Sequence, residues 1–530
     1  MDGVKSSSIP PFGHIIYRLV FKLITFHLLR SRSLLISPFI ENEMGAVAGA
    51  GREFMVKLGK TEVVAAPLPM QEHWLPLSNL DLLLPPLDVG VFFCYINPTT
   101  PTSQRLEYGS MVGILKVALA QALVSYYALA GEVVKNSVSE PELLCNNRGV
   151  DFIEAFADIE LCHLNLYNPD ETIEGKLVPT KKRGVLAVQA TELKCGGIVV
   201  ACTFDHRIAD ATSANMFMVF WAETARSDAP FSLPPCFRRS LLNPRRPLCI
   251  DPSLDRMYVP ISALPPPPQH KQQAGGEFEP TTSREDDRLV SRMYYVTATQ
   301  LSELQQSASS NGGKRSKLES FSAFLWKMVA ESSLVANNED NKAISRMGIV
   351  VDGRCRLMSQ DGDDKPTPMA SYFGNVLSIP FGEKRAREVV EKPLSWVAEA
   401  VHDFVESAAT REHFLDLIDW VEGHRPAPGV TRIYCKLGSE EEQEGSTAFV
   451  VSSGQRFPVA KMDFGWGKPV LGSYHFPWGG ETGYVMPMPS PLSNGDWVVY
   501  LHLSRSQVAF VESKAPTVFR PLNPHYLHLL

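Results

Sequence analysis

Nine cysteines are scattered along 530 residues, with no Cys-x-x-Cys pair among them. That pattern builds neither a disulfide framework nor a zinc ribbon, so a reducing compartment is the simpler reading and no metal site is expected. Positive charge is also in short supply: the formal net charge is -7. A chain of that sign has no basic field over its whole surface, which argues against a dedicated nucleic-acid or anionic-membrane binder. No Gly-x-Ser-x-Gly nucleophile elbow occurs, no Gly-x-x-x-x-Gly-Lys-Ser/Thr loop occurs, and no repeat recurs at solenoid periods. These absences weaken a serine hydrolase, a P-loop enzyme and a stacked-repeat scaffold in turn.

What is present is ordinary globular material, 44% hydrophobic and 21% charged, in a chain too long for a single ordinary core. Two or more domains are expected. The first forty residues interleave Lys5, Arg18, Lys22, Arg30 and Arg32 with Ile15, Leu19, Phe21 and Ile24, against the single acid Asp2. This is amphipathic and lacks the roughly 18 uncharged apolar residues of a membrane span. The expectation is an N-terminal extension, 1–57, that is disordered, with the functional chain starting near Met44 or Met55; a transit peptide is the alternative for an otherwise cytoplasmic protein.

From about Lys60 the chain reads as folded. Thr61 to Ala66 and Val89 to Ile96 are strand candidates, with a Pro- and Leu-rich surface turn between them and Asn79-Leu80-Asp81 at its tip. Met111 to Tyr126 has helical spacing of apolar residues, and alternating elements continue to about Arg226. This assigns an N-terminal α/β domain to 58–226. Between Pro230 and Pro280 lie twelve of the forty prolines, including the run Pro265 to Pro268. Proline lacks a backbone donor, so 227–288 is expected as an exposed crossover linker. A second α/β half, 289–530, opens with a strand over Leu289 to Val296 and helices from Ala298 to Ser309 and from Ser320 to Ser332. The acidic loops Ser359 to Pro368 and Ser439 to Ser446 are expected to be mobile.

Only His206, of thirteen histidines, begins a His-x-x-x-Asp. It follows the continuous apolar run Gly196 to Phe204 and precedes a helical pattern, Ala211 to Thr224. His206 therefore sits on the short connector from a central strand to a helix, where α/β proteins place their chemistry. A neutral imidazole there can take a proton from an alcohol. Asp210 also has a plainer reading, as the N-cap of the helix; His206 also reads as a polar loop residue. His402 and Glu406, one helical turn apart, are read as solvated-face chemistry.

Asp463-Phe464-Gly465-Trp466-Gly467 lies far downstream. Gly465 and Gly467 suit a tight loop with positive φ around a large ring whose N–H can donate. The two motifs together, with the Pro-rich crossing, resemble the plant BAHD acyltransferase family. Tyr126-Tyr127-Ala128-Leu129-Ala130-Gly131 is similar to its Tyr-Pro-Leu-Ala-Gly segment with Ala128 in place of proline. Asn243-Pro244-Arg245, Asp352-Gly353-Arg354-Cys355-Arg356 and Tyr372-Phe373-Gly374-Asn375 follow in family order. Gln71 to Asp81 and Phe92-Phe93-Cys94-Tyr95 look most like the coniferyl alcohol acyltransferase branch.

The resemblance implies two similar chloramphenicol-acetyltransferase-like α/β domains with a solvent channel between them, His206 midway, and acyl-coenzyme A and acceptor alcohol entering from opposite ends. Since a channel within one chain needs no partner and no credible anchor is present, a cytosolic monomer is expected. No permanently bound cofactor is implied. His206 is expected as general base. Asp210 is expected to pair with Arg354 or Arg356, Asp463 to be structural, and Trp466 to help hold the oxyanion. Acceptor alternatives are shikimate, quinate, a fatty ω-hydroxy acid or an amine; some members resemble acyltransferases but serve as non-catalytic accessory proteins in lipid elongation. For the polyphosphate of coenzyme A, Gly312-Gly313-Lys314-Arg315-Ser316-Lys317 and Ser320 offer cations and donors before a helix, although a solvated charged turn explains the same run.

Overall fold

The computed structural model describes residues 53–96, 106–226, 232–260, 288–310, 312–336, 342–358, 368–427, 429–435, 445–478 and 480–530. Two mixed sheets, each backed by helices, carry the fold. The first has six strands in the order Val56–Val64, Val150–Ala157, Leu186–Leu193, Ile198–Asp205, Asp88–Tyr95, Leu471–His475. The second has seven, in the order Phe381–Arg385, Ile344–Ile349, Thr447–Val451, Gly483–Pro489, Trp497–Ser504, Leu289–Val296, Arg520–Pro521. Each sheet contains one or two parallel pairings among antiparallel ones, which fits a two-layer α/β architecture better than a hairpin meander.

The strand Ile198–Asp205 is buried at every position: Asp88–Tyr95 runs antiparallel along its full length, Leu186–Leu193 does so from Ile198 to Phe204, and helices cover one face. The apolar run that marks it in the sequence starts two residues early: Gly196 has φ +78° and belongs to the turn from Leu186–Leu193. A Cβ on Gly197 would lie 2.6 Å from the Tyr95 carbonyl. Helices Tyr108–Ser125 and Ala211–Arg226 pack on this sheet, with Leu115, Leu119, Phe217 and Trp221 in its core. Each such side chain contributes about 1.5–3 kcal/mol by burial. Among the described residues, Tyr108–Ser125 is the one helix apolar and long enough to cross a bilayer, and it serves here as a core helix.

Several expectations are corrected by tertiary packing. Residues 53–57 do not belong to a disordered extension: Phe54 is buried and the first strand starts at Val56. Residues 1–52 lie outside the described residues. The crossover is not a free linker over 232–260. Arg245 donates to Asp419 at 2.7 Å and also pairs with Asp416, and Tyr258–Pro260 pairs with Gly429–Thr431. The proline run 265–268 and the two acidic loops, 359–367 and 436–444, lie outside the described residues. The largest correction concerns 289–530. Leu471–His475 leaves the second half and completes the first sheet against Asp88–Tyr95, so Phe457, Phe464, Trp466 and Tyr474 belong to the first core. Finally, the expected surface turn is exposed only in its first part, with Leu68 and Trp74 open to solvent, whereas its expected tip is inside the protein: Ser78, Asn79 and Asp81 are buried.

Candidate active site

His206 follows the last residue of the strand Ile198–Asp205, and the local chain holds it from both sides. Its N–H donates to the Leu87 carbonyl at 2.8 Å, while Asp205 forks onto Arg207 at 2.9 and 2.6 Å. The ring meets Phe476 edge-on, 6.2 Å between centroids. Its Nδ1 is buried with no partner among the described residues, which leaves Nε2 on the accessible edge. Burial pushes the imidazole below its usual pKa, against the opposing pull of its own backbone carbonyl, Asp210, Asp205 and Asn375. A ring kept neutral at working pH can accept a proton.

Asp210 does two things at once. One carboxylate oxygen caps the helix Ala211–Arg226 by accepting from Ser213 N at 2.8 Å. The carboxylate also takes a two-pronged contact from Arg354, at 2.8 and 3.0 Å, with both side chains essentially unexposed. The guanidinium is pulled down by burial, but Asp210 and Asp352 outweigh that and raise its pKa. Arg354 continues to the carbonyls of Tyr372 and Gly374 at 3.2 and 2.8 Å. Arg356, the other candidate for this pairing, is exposed and makes no part of it; the short helix Arg354–Leu357 turns the two arginines to different sides.

Asp463 organises its own loop. Its Oδ1 accepts from Gly465 N at 2.8 Å and Gly467 N at 3.0 Å, and both glycines have positive φ, +104° and +105°. This is the tight turn that the glycine spacing predicts. The loop grips the first half, where Tyr95 Oη donates to the Met462 carbonyl at 2.8 Å. Trp466 is buried against Tyr95 and Phe464, and its Nε1–H has no partner among the described residues.

Sequence reasoning missed the other side of the histidine loop. Asn375 is fully buried and its Nδ2 donates to the carbonyls of His206 and Arg207 at 2.9 and 3.1 Å. Asp81, also fully buried, receives Asn375 N at 2.7 Å and Nδ2 at 2.9 Å. Arg239, from the crossover, donates to Tyr372 Oη and the Phe373 carbonyl at 2.9 and 2.6 Å. The segment Tyr372 to Val376 is thus strapped between two carboxylates, since Val376 N reaches Asp210 at 3.2 Å. The Gly374-Asn375 dipeptide was the available signal: φ at Gly374 is +150°, and a Cβ there would sit 2.8 Å from the Arg239 guanidinium.

The basic stretch sits at the start of helix Lys317–Ala336. Lys314 is exposed, but Arg315 is half-buried and faces Glu399 at 4.0 Å. The helix start is already capped, with Ser316 N donating to Glu319 at 2.6 Å. Ser320 is a correction: it is fully buried, and its hydroxyl donates back to the Ser316 carbonyl at 2.8 Å, so it offers nothing to a ligand. Lys317 is partly exposed. His402 pairs with Glu319 at 2.7 Å rather than with Glu406.

Comparison with known proteins bears on the family and the fold. The family model described as Transferase family matches residues 54–517. The omega-hydroxypalmitate O-feruloyl transferase of Arabidopsis thaliana is 24% identical over 83% of this chain and 89% of its own. The shikimate O-hydroxycinnamoyltransferase of Nicotiana tabacum is 25% identical over 84% and 96%. Among solved structures, vinorine synthase superposes with a TM-score of 0.61 at 20% identity, over 88% of this chain and 98% of its own. The F. graminearum TRI101 complexed with coenzyme A and deoxynivalenol superposes with a TM-score of 0.62 at 15% identity, over 84% and 98%.

Proposed function

The chain belongs to the Transferase family of BAHD acyltransferases, and from that premise we propose that it moves an acyl group from a coenzyme A thioester to an alcohol, with His206 as general base. The single observation that carries the reading is the geometry of His206. Its ring is kept neutral by burial, has its Nδ1 edge inside the protein, and is fixed on a loop tied to both halves. In the step this supports, Nε2 takes the hydroxyl proton as the oxygen attacks the thioester carbonyl. A C–O bond forms, the C–S bond breaks, and the proton passes to the departing thiolate. A thioester is reactive enough to need no covalent acyl-enzyme, only a base and a donor for the oxyanion. Trp466 is not that donor. Its ring packs on Tyr95, which pairs with Ile198 at the opposite end of the strand from His206. Neighbouring Gly465 lies beside Arg226 at the far end of the helix that Asp210 caps, so the Asp463 to Gly467 loop has a structural role.

For the acceptor, a phenylpropanoid alcohol such as coniferyl alcohol is the reading drawn from Gln71 to Asp81 and Phe92 to Tyr95. The relatives' names divide among feruloyl or hydroxycinnamoyl, acetyl and benzoyl donors, and their acceptors include ω-hydroxypalmitate, shikimate, (Z)-3-hexen-1-ol and benzyl alcohol, so shikimate and long-chain hydroxy acids stand as competing acceptors. The test is thiol release with acetyl-, p-coumaroyl- and feruloyl-coenzyme A against coniferyl alcohol, shikimate and a long-chain alcohol. Turnover with coniferyl alcohol, reduced roughly 10²- to 10⁴-fold by His206→Ala, is the expected result. Turnover confined to another acceptor moves the substrate and keeps the mechanism. No release across the panel favours a non-catalytic accessory protein.

A further inference from the structure

Beneath the histidine loop, Asp81 and Asn375 form an arrangement that the acid–base reading does not yet use. Asp81 opens the short turn Asp81–Leu83 and is fully buried. A carboxylate only accepts hydrogen bonds, and all four contacts of this one are donors: Ser78 N and Oγ at 2.9 and 2.7 Å on one oxygen, Asn375 N and Nδ2 at 2.7 and 2.9 Å on the other. The Asn375 amide is thereby oriented without ambiguity. Its nitrogen faces three acceptors, Asp81 Oδ1 and the carbonyls of His206 and Arg207; an oxygen placed there would face three lone pairs. Its Oδ1 must point the other way, and that oxygen is buried with no partner.

The same residue that the amide grips by its carbonyl, His206, has the complementary vacancy: Nδ1 is buried with no partner. An orphaned buried acceptor and an orphaned buried ring nitrogen on two directly bonded residues each carry a desolvation cost that their pairing removes. We propose that Asp81 is a positioning residue that acts through Asn375: it locks the amide so that Oδ1 accepts from His206 Nδ1–H, selecting the tautomer whose Nε2 lone pair faces the alcohol. This rests on His206 being the base. The Asn375 contact favours the protonated ring, whereas burial opposes it, so loss of Asn375 should move the acid limb of the rate profile to lower pH.

The experiment compares full-length wild type with Asp81→Asn, Asn375→Ala and His206→Ala, measuring kcat and KM for both substrates across pH, with melting curves for each. Asp81→Asn introduces a donor that must confront either Ser78 or Asn375, so the amide loses its fixed sense. The expected result is a fall in kcat of roughly ten- to a hundred-fold in Asp81→Asn and Asn375→Ala, with KM within about two-fold of wild type, and an acid limb displaced downward in Asn375→Ala. A structural role alone would lower the melting point and leave the pH profile in place, which overturns the proposal. Unchanged kcat in both variants beside an inactive His206→Ala overturns it while the base assignment stands; an active His206→Ala removes both. Should Asp81→Asn fail to fold, nitrogen-15 spectra of histidine-labelled wild type, with the His206 signals identified by their loss in His206→Ala, decide the matter. A proton on Nδ1 is expected, and a proton on Nε2 at neutral pH overturns the assignment.

Discussion

In the first half, the strand Ile198–Asp205 reaches the helix Ala211–Arg226 through His206 to Asp210; in the second, Trp497–Ser504 runs straight into Arg505–Lys514. The strands occupy matching places, each paired antiparallel on both sides. The caps differ. Ser504 and Gln507 form a capping box, Ser504 Oγ accepting from Gln507 N at 3.2 Å and Gln507 returning the contact at 3.1 Å. That cap is local and neutral, and it satisfies the free N–H groups of its own helix. Asp210 caps its helix too, yet its carboxylate also reaches Arg354 and Val376 N in the other half of the chain. A hydroxyl cap starts a helix; a carboxylate cap has lone pairs to spare, and here they tie the histidine loop across the molecule.

The contrast is broken most severely by Asp210→Ala, which takes the two-pronged carboxylate from the buried Arg354 guanidinium and leaves it the single, longer contact with Asp352 at 3.2 Å. A loss of about 3–5 kcal/mol is expected in denaturant unfolding, with acyl transfer abolished; an unchanged unfolding midpoint would mean the carboxylate is no more than a cap. Adding Arg354→Met to Asp210→Ala should recover part of that stability, because the stranded charge is gone, without recovering activity.

Acid should expose the buried histidines of both halves. Burial pushes His475 down to about 3, helped by His502, and His502 down to about 4 against the opposing pull of Asp170. The unfolded chain binds these protons below about 6.5, while the folded one does so only near 3 to 4. Stability is therefore intact above 6.5 and lost as pH falls from there, by about 1.4 kcal/mol per pH unit for each such group. Melting temperatures between pH 7 and 5 measure the slope, and His475→Gln should flatten it; an equal slope in that variant would contradict the assignment.

Ser504→Ala sharpens the comparison from the other side. Loss of about 1 kcal/mol is expected, with turnover intact, and a larger drop in activity would show that the second cap also serves the site. The smallest effect belongs to Lys314→Ala. An exposed cation contributes about 0.2–1 kcal/mol, so KM for the thioester should rise no more than about five-fold with kcat unchanged, read at low salt.

Local chemistry made part of the site legible. Asp210 reads as a cap, and Gly465 and Gly467 read as a positive-φ turn, because such roles depend on residues within one or two turns of chain. Ser320 could not be read the same way: a serine inside a helix can offer its hydroxyl to the preceding turn or to solvent, and it is the packing around the helix that turns this one back onto the Ser316 carbonyl. Nor could the choice between Arg354 and Arg356, two residues apart on one turn, be made from spacing.

By itself, then, the sequence determined that a buried strand would deliver a lone His-x-x-x-Asp to a helix start, and that a glycine-framed tryptophan loop would stand downstream. Apolar runs, caps and φ requirements are short-range and are written in the order of residues. Only tertiary structure decided that Leu471–His475 would complete the first sheet, that Arg354 would face Asp210, and that the proline-flanked Asp81 would be buried beneath His206 rather than exposed on a turn. Those outcomes depend on which surfaces exclude water from each other, and a strand's unpaired edge or a carboxylate's free lone pairs do not name their partners until the chain has closed around them.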